Sequence, residues 1–113
     1  MRKIDGGVTA PKGFKAAGLY AGIKKGGKKD MAMVYSEVPC RAAGVFTTNV
    51  VKAAPVKWDH EVVYESEFAQ AVVVNSGVAN ACTGIEGYNC CKEMAAEAGK
   101  VLGVPGDAVL VAS

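Results

Sequence analysis

Residues 70–74, QAVVV, are the most constraining stretch in this chain. A strand with apolar side chains on both faces has to be covered on both, so it belongs in the interior of a sheet layered with other elements. Two further segments fit such layers. Tyr88, Cys91, Met94, Ala95, Ala98, Val101 and Leu102 recur at intervals of three and four residues, which predicts a helix over 86–102 with one apolar stripe, stopped by Gly103 and Pro105. After it, 109–113, VLVAS, has the composition of another buried strand.

The earlier half reads mainly as β-structure. FKAAGLYAGIKK and DMAMVYSEV flank a Lys-Lys-Gly-Gly-Lys-Lys connection, which predicts a β-hairpin with positive φ at Gly26 and Gly27. Lys24, Lys25, Lys28 and Lys29 read as a solvated tip that discourages wrong strand pairing, in preference to an anion-binding patch. A third strand is expected at Ala43–Thr48, with Gly44 as a bulge or close-approach site. Pro55, which has no amide to donate, argues for an extended connection through VVKAAPVKWDHE, and Trp58, Asp59 and His60 read as a surface turn. The order of elements predicts an α/β fold with a mixed β-sheet layered with helices, and the length fits one domain over 1–113.

Several function classes are excluded early. Thirteen basic and eleven acidic residues give a net charge of +2, too balanced to indicate nucleic acid or an anionic membrane as partner. No apolar run reaches the roughly 18 residues of a membrane span, and MRKIDGGVTAPKGF lacks the core of a signal peptide, so a cytoplasmic setting is expected. Cys40, Cys82, Cys90 and Cys91 lack the two-residue spacing that places two thiolates on one zinc, and the chain has one histidine; no metal and no bound cofactor are expected. Reduced cysteines serving as small core hydrophobes are the favoured reading, and Cys82 is read as a structural thiol in preference to a nucleophile. His60 has no partner placed by sequence to make it a base. GxGxxG, GxxxxGK[ST] and GxSxG are all absent.

What remains is the loop between the interior strand and the helix, NSGVANACTG at 75–84. Small polar residues there have two uses. Amides at the helix N-terminus can hold an anion or an oxyanion; or the Asn and Ser side chains bond neighbouring backbone and hold an irregular buried loop. The structural use is favoured, with Asn75, Ser76, Asn80 and Thr83 as the candidate supporting residues.

Five blocks in series, GGVTAPKGFKAAG, AAGVFTTN, AAPV, VVVNSGVANACTG and VLVAS, resemble the N-terminal part of the ornithine acetyltransferase family, the bifunctional glutamate N-acetyltransferases of arginine biosynthesis. The NSGxANACTG block is the most diagnostic; Val78 stands where the family is expected to carry a polar residue such as Asn.

The resemblance implies a self-cleaving fold of the N-terminal-nucleophile type. In it a threonine, freed by cleavage, carries acetyl from N-acetylornithine to glutamate, with acetyl-CoA as a second donor in some members. Both that nucleophile and the oxyanion-stabilising Thr-Gly pair are expected beyond Ser113, so no catalytic residue is assigned here and this segment alone is expected to be inactive. The resemblance thereby makes 1–113 a single incomplete domain, the N-terminal part of the α chain, and the implied partners are the rest of the α chain and the β chain that carries the threonine, in a hetero-oligomer. The alternative is a non-catalytic α/β module that binds a small anion or a partner subunit. An aminopeptidase-like relative is disfavoured by the NSGVANACTG block.

Overall fold

The computed structural model describes residues 1–113. Strands β1 (Phe14–Leu19), β2 (Met31–Cys40), β3 (Ala69–Asn75) and β4 (Val109–Ala112) form one sheet in the order β1-β2-β3-β4. The first three pair antiparallel, and β3 pairs parallel with β4, so the sheet is mixed, as expected. β3 lies inside it, flanked by β2 and β4. Helices α1 (Ala54–Glu65) and α2 (Gly84–Leu102) pack on each other and on β4.

The alternation along β3 explains the layering. Ala69, Ala71 and Val73 are buried and join Val109 and Val111 of β4 in one core with Trp58 and Val62 of α1 and Cys91, Ala95 and Ala98 of α2. Val72, Val74 and Leu110 point to the opposite face and are half-buried. The helices thus cover one face of the sheet.

The β1–β2 hairpin is as read, with Gly26 and Gly27 both at positive φ, +93° and +71°. Its ladder stops at Leu19, earlier than the sequence pattern runs, because the buried Asp30 carboxylate takes over the backbone. That carboxylate accepts the amides of Ala21 (2.6 Å), Ile23 (2.7 Å) and Lys24 (2.9 Å).

Two stretches differ from expectation. Residues 41–49 form no strand; instead the Phe46 ring packs on α1, edge-on to His60 at 5.1 Å and tilted against Tyr64 at 6.1 Å. The segment read as an extended connection is the helix α1. Pro55 sits in its first turn, where a backbone amide has no intrahelical acceptor and the fixed φ of proline suits the helix. Trp58, read as a surface residue, is consequently in the core at 7% exposure, while His60 is exposed on the outer side.

α2 ends where expected. Gly103 adopts a left-handed conformation, φ +72°, and its amide returns to the carbonyl of Gly99. Gly99 is itself needed for close approach, since a Cβ there would lie 2.6 Å from the carbonyl oxygen of Val104.

Candidate functional site

Asn75 is the last residue of β3, and from it the chain crosses to α2 through a loop whose polar groups bond both to one another and to the hairpin, α2 and Ser113. The Asn75 amide Nδ2 donates to the carbonyl of Val78 at 3.3 Å. Ser76 donates its backbone N–H to the carbonyl of Asp30 at 2.9 Å, which fastens the loop to the base of the hairpin tip. Gly77 takes a positive φ of +105°, and a Cβ there would lie 2.8 Å from Cγ of Lys24. The lysine tip and the loop are therefore in contact, and the stem of Lys24 is half-buried rather than fully solvated.

Asn80 is the hub of the loop. Its Nδ2 donates to the carbonyl of Gly87 (2.7 Å) and to Sγ of Cys91 (3.2 Å), both on α2. Its Oδ1 accepts the Thr83 hydroxyl. Its backbone N–H donates to Oγ of Ser113 at 2.8 Å, and that hydroxyl in turn donates to the carbonyl of Val78 at 3.2 Å. Thr83 precedes the first turn of α2 but makes no side-chain cap, because its hydroxyl is engaged with Asn80.

Of the four residues singled out from sequence, Asn75, Asn80 and Thr83 are joined in one network through Val78 and Ser113, while Ser76 bonds outside it to Asp30. Asn75, Asn80 and Thr83 act through side chains, whereas Ser76 acts through its backbone. Sequence reasoning missed Gly87. It is buried in the first turns of α2, and a Cβ there would collide with Thr83 Oγ1 and Asn80 Oδ1. A glycine early in a helix, where it costs about 1 kcal/mol relative to alanine, was the available signal.

A cleft of about 340 Å³ opens beside the network, lined by Asn75, Asn80, Thr83, Glu86, Cys90 and Ser113 among others. Asn75 Oδ1 is buried and accepts no hydrogen bond. An adjoining groove of about 530 Å³ between α2 and the sheet is apolar, lined by Met31, Met33, Val73, Met94 and Val101. No group of three or more His, Cys, Asp or Glu converges as a metal site.

The cysteines divide. Cys91 is fully buried, and burial pushes its thiol above the ordinary value against the lowering hydrogen bond from Asn80. Cys82, read as a structural thiol, is exposed in the loop at φ +54°, and Cys90 is exposed on α2. Neither has the packing of a core residue. At Asp30, burial opposes ionisation but the amides of Ala21, Lys24 and Ile23 outweigh it, and the carboxyl lies below its ordinary 3.8.

The far edge of β4 is held from α1. Trp58 Nε1 donates to the carbonyl of Val109 at 2.8 Å, and Asp59 Oδ1 accepts the amide of Val111 at 2.9 Å. Tyr88 of α2 donates to Glu61 of α1 at 2.6 Å, and that bond, with burial, pushes its phenol up to about 12. β4 is therefore fixed on one side by β3 and on the other by α1, with Ser113 tied down just past its end. No helix is long and apolar enough to cross a membrane.

Comparison with known proteins adds to this geometry. The profile of the ArgJ family matches residues 15–113. The arginine biosynthesis bifunctional protein ArgJ of Gloeobacter violaceus is 53% identical over 110 residues, which is 97% of this chain and 27% of that protein. The chain thus spans about a quarter of that relative. The crystal structure of the arginine biosynthesis bifunctional protein ArgJ from Bacillus halodurans superposes with a TM-score of 0.87 at 40% identity, over 94% of this chain and 55% of that one. The ornithine acetyltransferase of Mycobacterium tuberculosis, solved in complex with ornithine, superposes with a TM-score of 0.79 at 46% identity, over 95% and 59% respectively.

Proposed function

This chain belongs to the ArgJ family, and from that premise we propose that it is the N-terminal part of the α chain of an acetyltransferase of arginine biosynthesis. In the complete protein, acetyl passes from N-acetylornithine to a threonine nucleophile and then to glutamate. The observation that carries this reading is the family match over residues 15–113, reinforced by the likeness to an ornithine acetyltransferase at 46% identity.

The chemistry is economical. An N-terminal threonine has its own α-amino group to take the hydroxyl proton, so acyl transfer needs only fixed donors for the tetrahedral oxyanion. No metal or bound cofactor enters, and acetyl-CoA is an additional donor substrate. The nucleophile and the oxyanion donors lie beyond Ser113, so this segment alone is inactive and works with the rest of the α chain and the β chain, in the cytoplasm. Asn75, Ser76, Asn80 and Thr83 support the site through the hydrogen bonds of the loop and take no part in the chemistry.

The test is transfer of labelled acetyl from N-acetylornithine to glutamate by the complete protein, with mass spectrometry of the chain that starts at threonine. Transfer together with a transient mass gain of one acetyl group on that chain supports the proposal. A complete protein that remains a single uncleaved chain and transfers nothing overturns it in favour of a binding module.

A further inference from the structure

Three segments meet at Asp30. Its backbone N–H donates to the Leu19 carbonyl at the end of β1 (3.0 Å), and its carbonyl accepts the amide of Ser76 in the asparagine loop (2.9 Å). Its carboxylate accepts the amides of Ala21, Ile23 and Lys24 in the hairpin tip. Asp30 is 3% exposed and forms no ion pair, so its charge is met by tip amides and not by a cation.

A second contact closes the same gap from the loop side. Gly77, at φ +105°, lies so close under the tip that a Cβ would stand 2.8 Å from Cγ of Lys24 and 3.0 Å from Cγ2 of Ile23. Tip and loop are therefore joined twice, once by hydrogen bonds and once by packing.

We infer that the hairpin tip is a strap over the asparagine loop, and that tip and loop open and close as one unit pinned by Asp30. The physical reason lies in the buried charge. A carboxylate stripped of its donors inside the protein is costly, so the three tip bonds are kept or lost together. When they are lost, Asp30 turns towards water and the carbonyl that holds Ser76 moves with it. Whatever displaces the tip then displaces the loop, and the reverse holds by the same free energy. Every group involved lies within residues 19–30 and 76–77, and the strap is independent of the acyl transfer proposed above.

The experiment follows amide hydrogen exchange in the complete protein and in its Asp30→Asn and Gly77→Ala variants. The decisive amides are those whose own acceptor the substitution leaves in place. Asp30→Asn keeps the backbone carbonyl that accepts Ser76, yet exchange at Ser76 is expected to quicken about 10-fold or more, together with Ala21, Ile23 and Lys24. Gly77→Ala leaves the carboxylate intact, yet the same three tip amides should quicken by a similar factor. The amides of Val104 and Val111, bonded to Gly99 and Asp59 in the helical half, should keep wild-type rates in both.

Asp30→Asn that quickens the tip amides but not Ser76, or Gly77→Ala that leaves the tip at wild-type rates, overturns the inference, since tip and loop would then be fixed independently. Equal quickening at Val104 and Val111 also overturns it, because the opening would be global. Where one variant does not fold, the other decides. Failure of both to fold counts against the strap, which as a local device is not required for the core.

Discussion

Trp58 and Val109 stand 51 positions apart, and the indole N–H of the first donates to the carbonyl of the second at 2.8 Å inside the core. With Asp59 accepting the amide of Val111, two adjacent residues of a helix complete the hydrogen bonds that a fifth strand would otherwise make. An apolar residue in place of either leaves a β4 backbone group without a partner.

Trp58→Phe keeps most of the apolar volume but strands the Val109 carbonyl. A destabilisation of about 1–3 kcal/mol is expected from the orphaned buried acceptor and the smaller ring. Denaturant unfolding of the complete protein checks it, and a loss below half a kcal/mol would show that water or a shifted side chain replaces the indole.

Asp59 offers a pH test with a defined sign. Burial raises its carboxyl above the ordinary 3.8, against the lowering bond from the Val111 amide. Since the folded value exceeds the unfolded one, its favourable contribution is complete below 3.8 and is lost as pH rises through the folded value. Asp59→Asn, which keeps an acceptor for Val111, is therefore expected to gain stability relative to wild type as pH rises from below 3.8 through the folded value. A constant difference between the two proteins across that range would contradict the shift.

Asp30 carries the opposite sign. Its folded value is lowered, so its contribution is present above 3.8 and declines as pH falls through that lower value. Asp30→Asn should loosen the hairpin tip, seen as faster hydrogen exchange at Ala21, Ile23 and Lys24, and its stability deficit should narrow in acid. Unchanged protection of all three amides would show that the turn holds without the carboxylate.

Gly87→Ala places a methyl group on Thr83 Oγ1 and Asn80 Oδ1. A cost of about 1–3 kcal/mol is expected from overpacking. Because the clash is partly with the Thr83 hydroxyl, Thr83→Ala should absorb part of it, and the double variant should be more stable than the sum of the two singles. Strict additivity in unfolding measurements would place the strain elsewhere.

The sequence was most informative where pattern and local chemistry agreed. The β3 run, the stripe of α2 with its Gly103 stop, and the Gly-Gly hairpin turn were all legible because each is set by neighbours a few residues away. α1 was not, since a proline reads as a helix breaker unless a start is marked just before it, and Ala53 provides no side-chain cap to announce one. The four-residue spacing of Ala54, Trp58 and Val62 was the competing signal, and it prevails because all three reach the core. The strand expected at 43–48 fails for a tertiary reason: Phe46 finds its packing on α1. At the loop, the polar composition indicated internal bonding, but which group bonds which depends on Gly87 and Ser113, one within α2 and the other beyond β4.

The bonds from Trp58 and Asp59 to β4 span 51 and 52 positions and set an order of events in folding. The β1–β2 hairpin closes a short loop and can form early, whereas α1 gains these partners only once the distant β4 has reached it. Long closures of this kind lose chain entropy before they return any contact, so they slow folding. Until that step, the indole of Trp58 is a reporter of an unfinished core, and its fluorescence should be among the last signals to reach the native value.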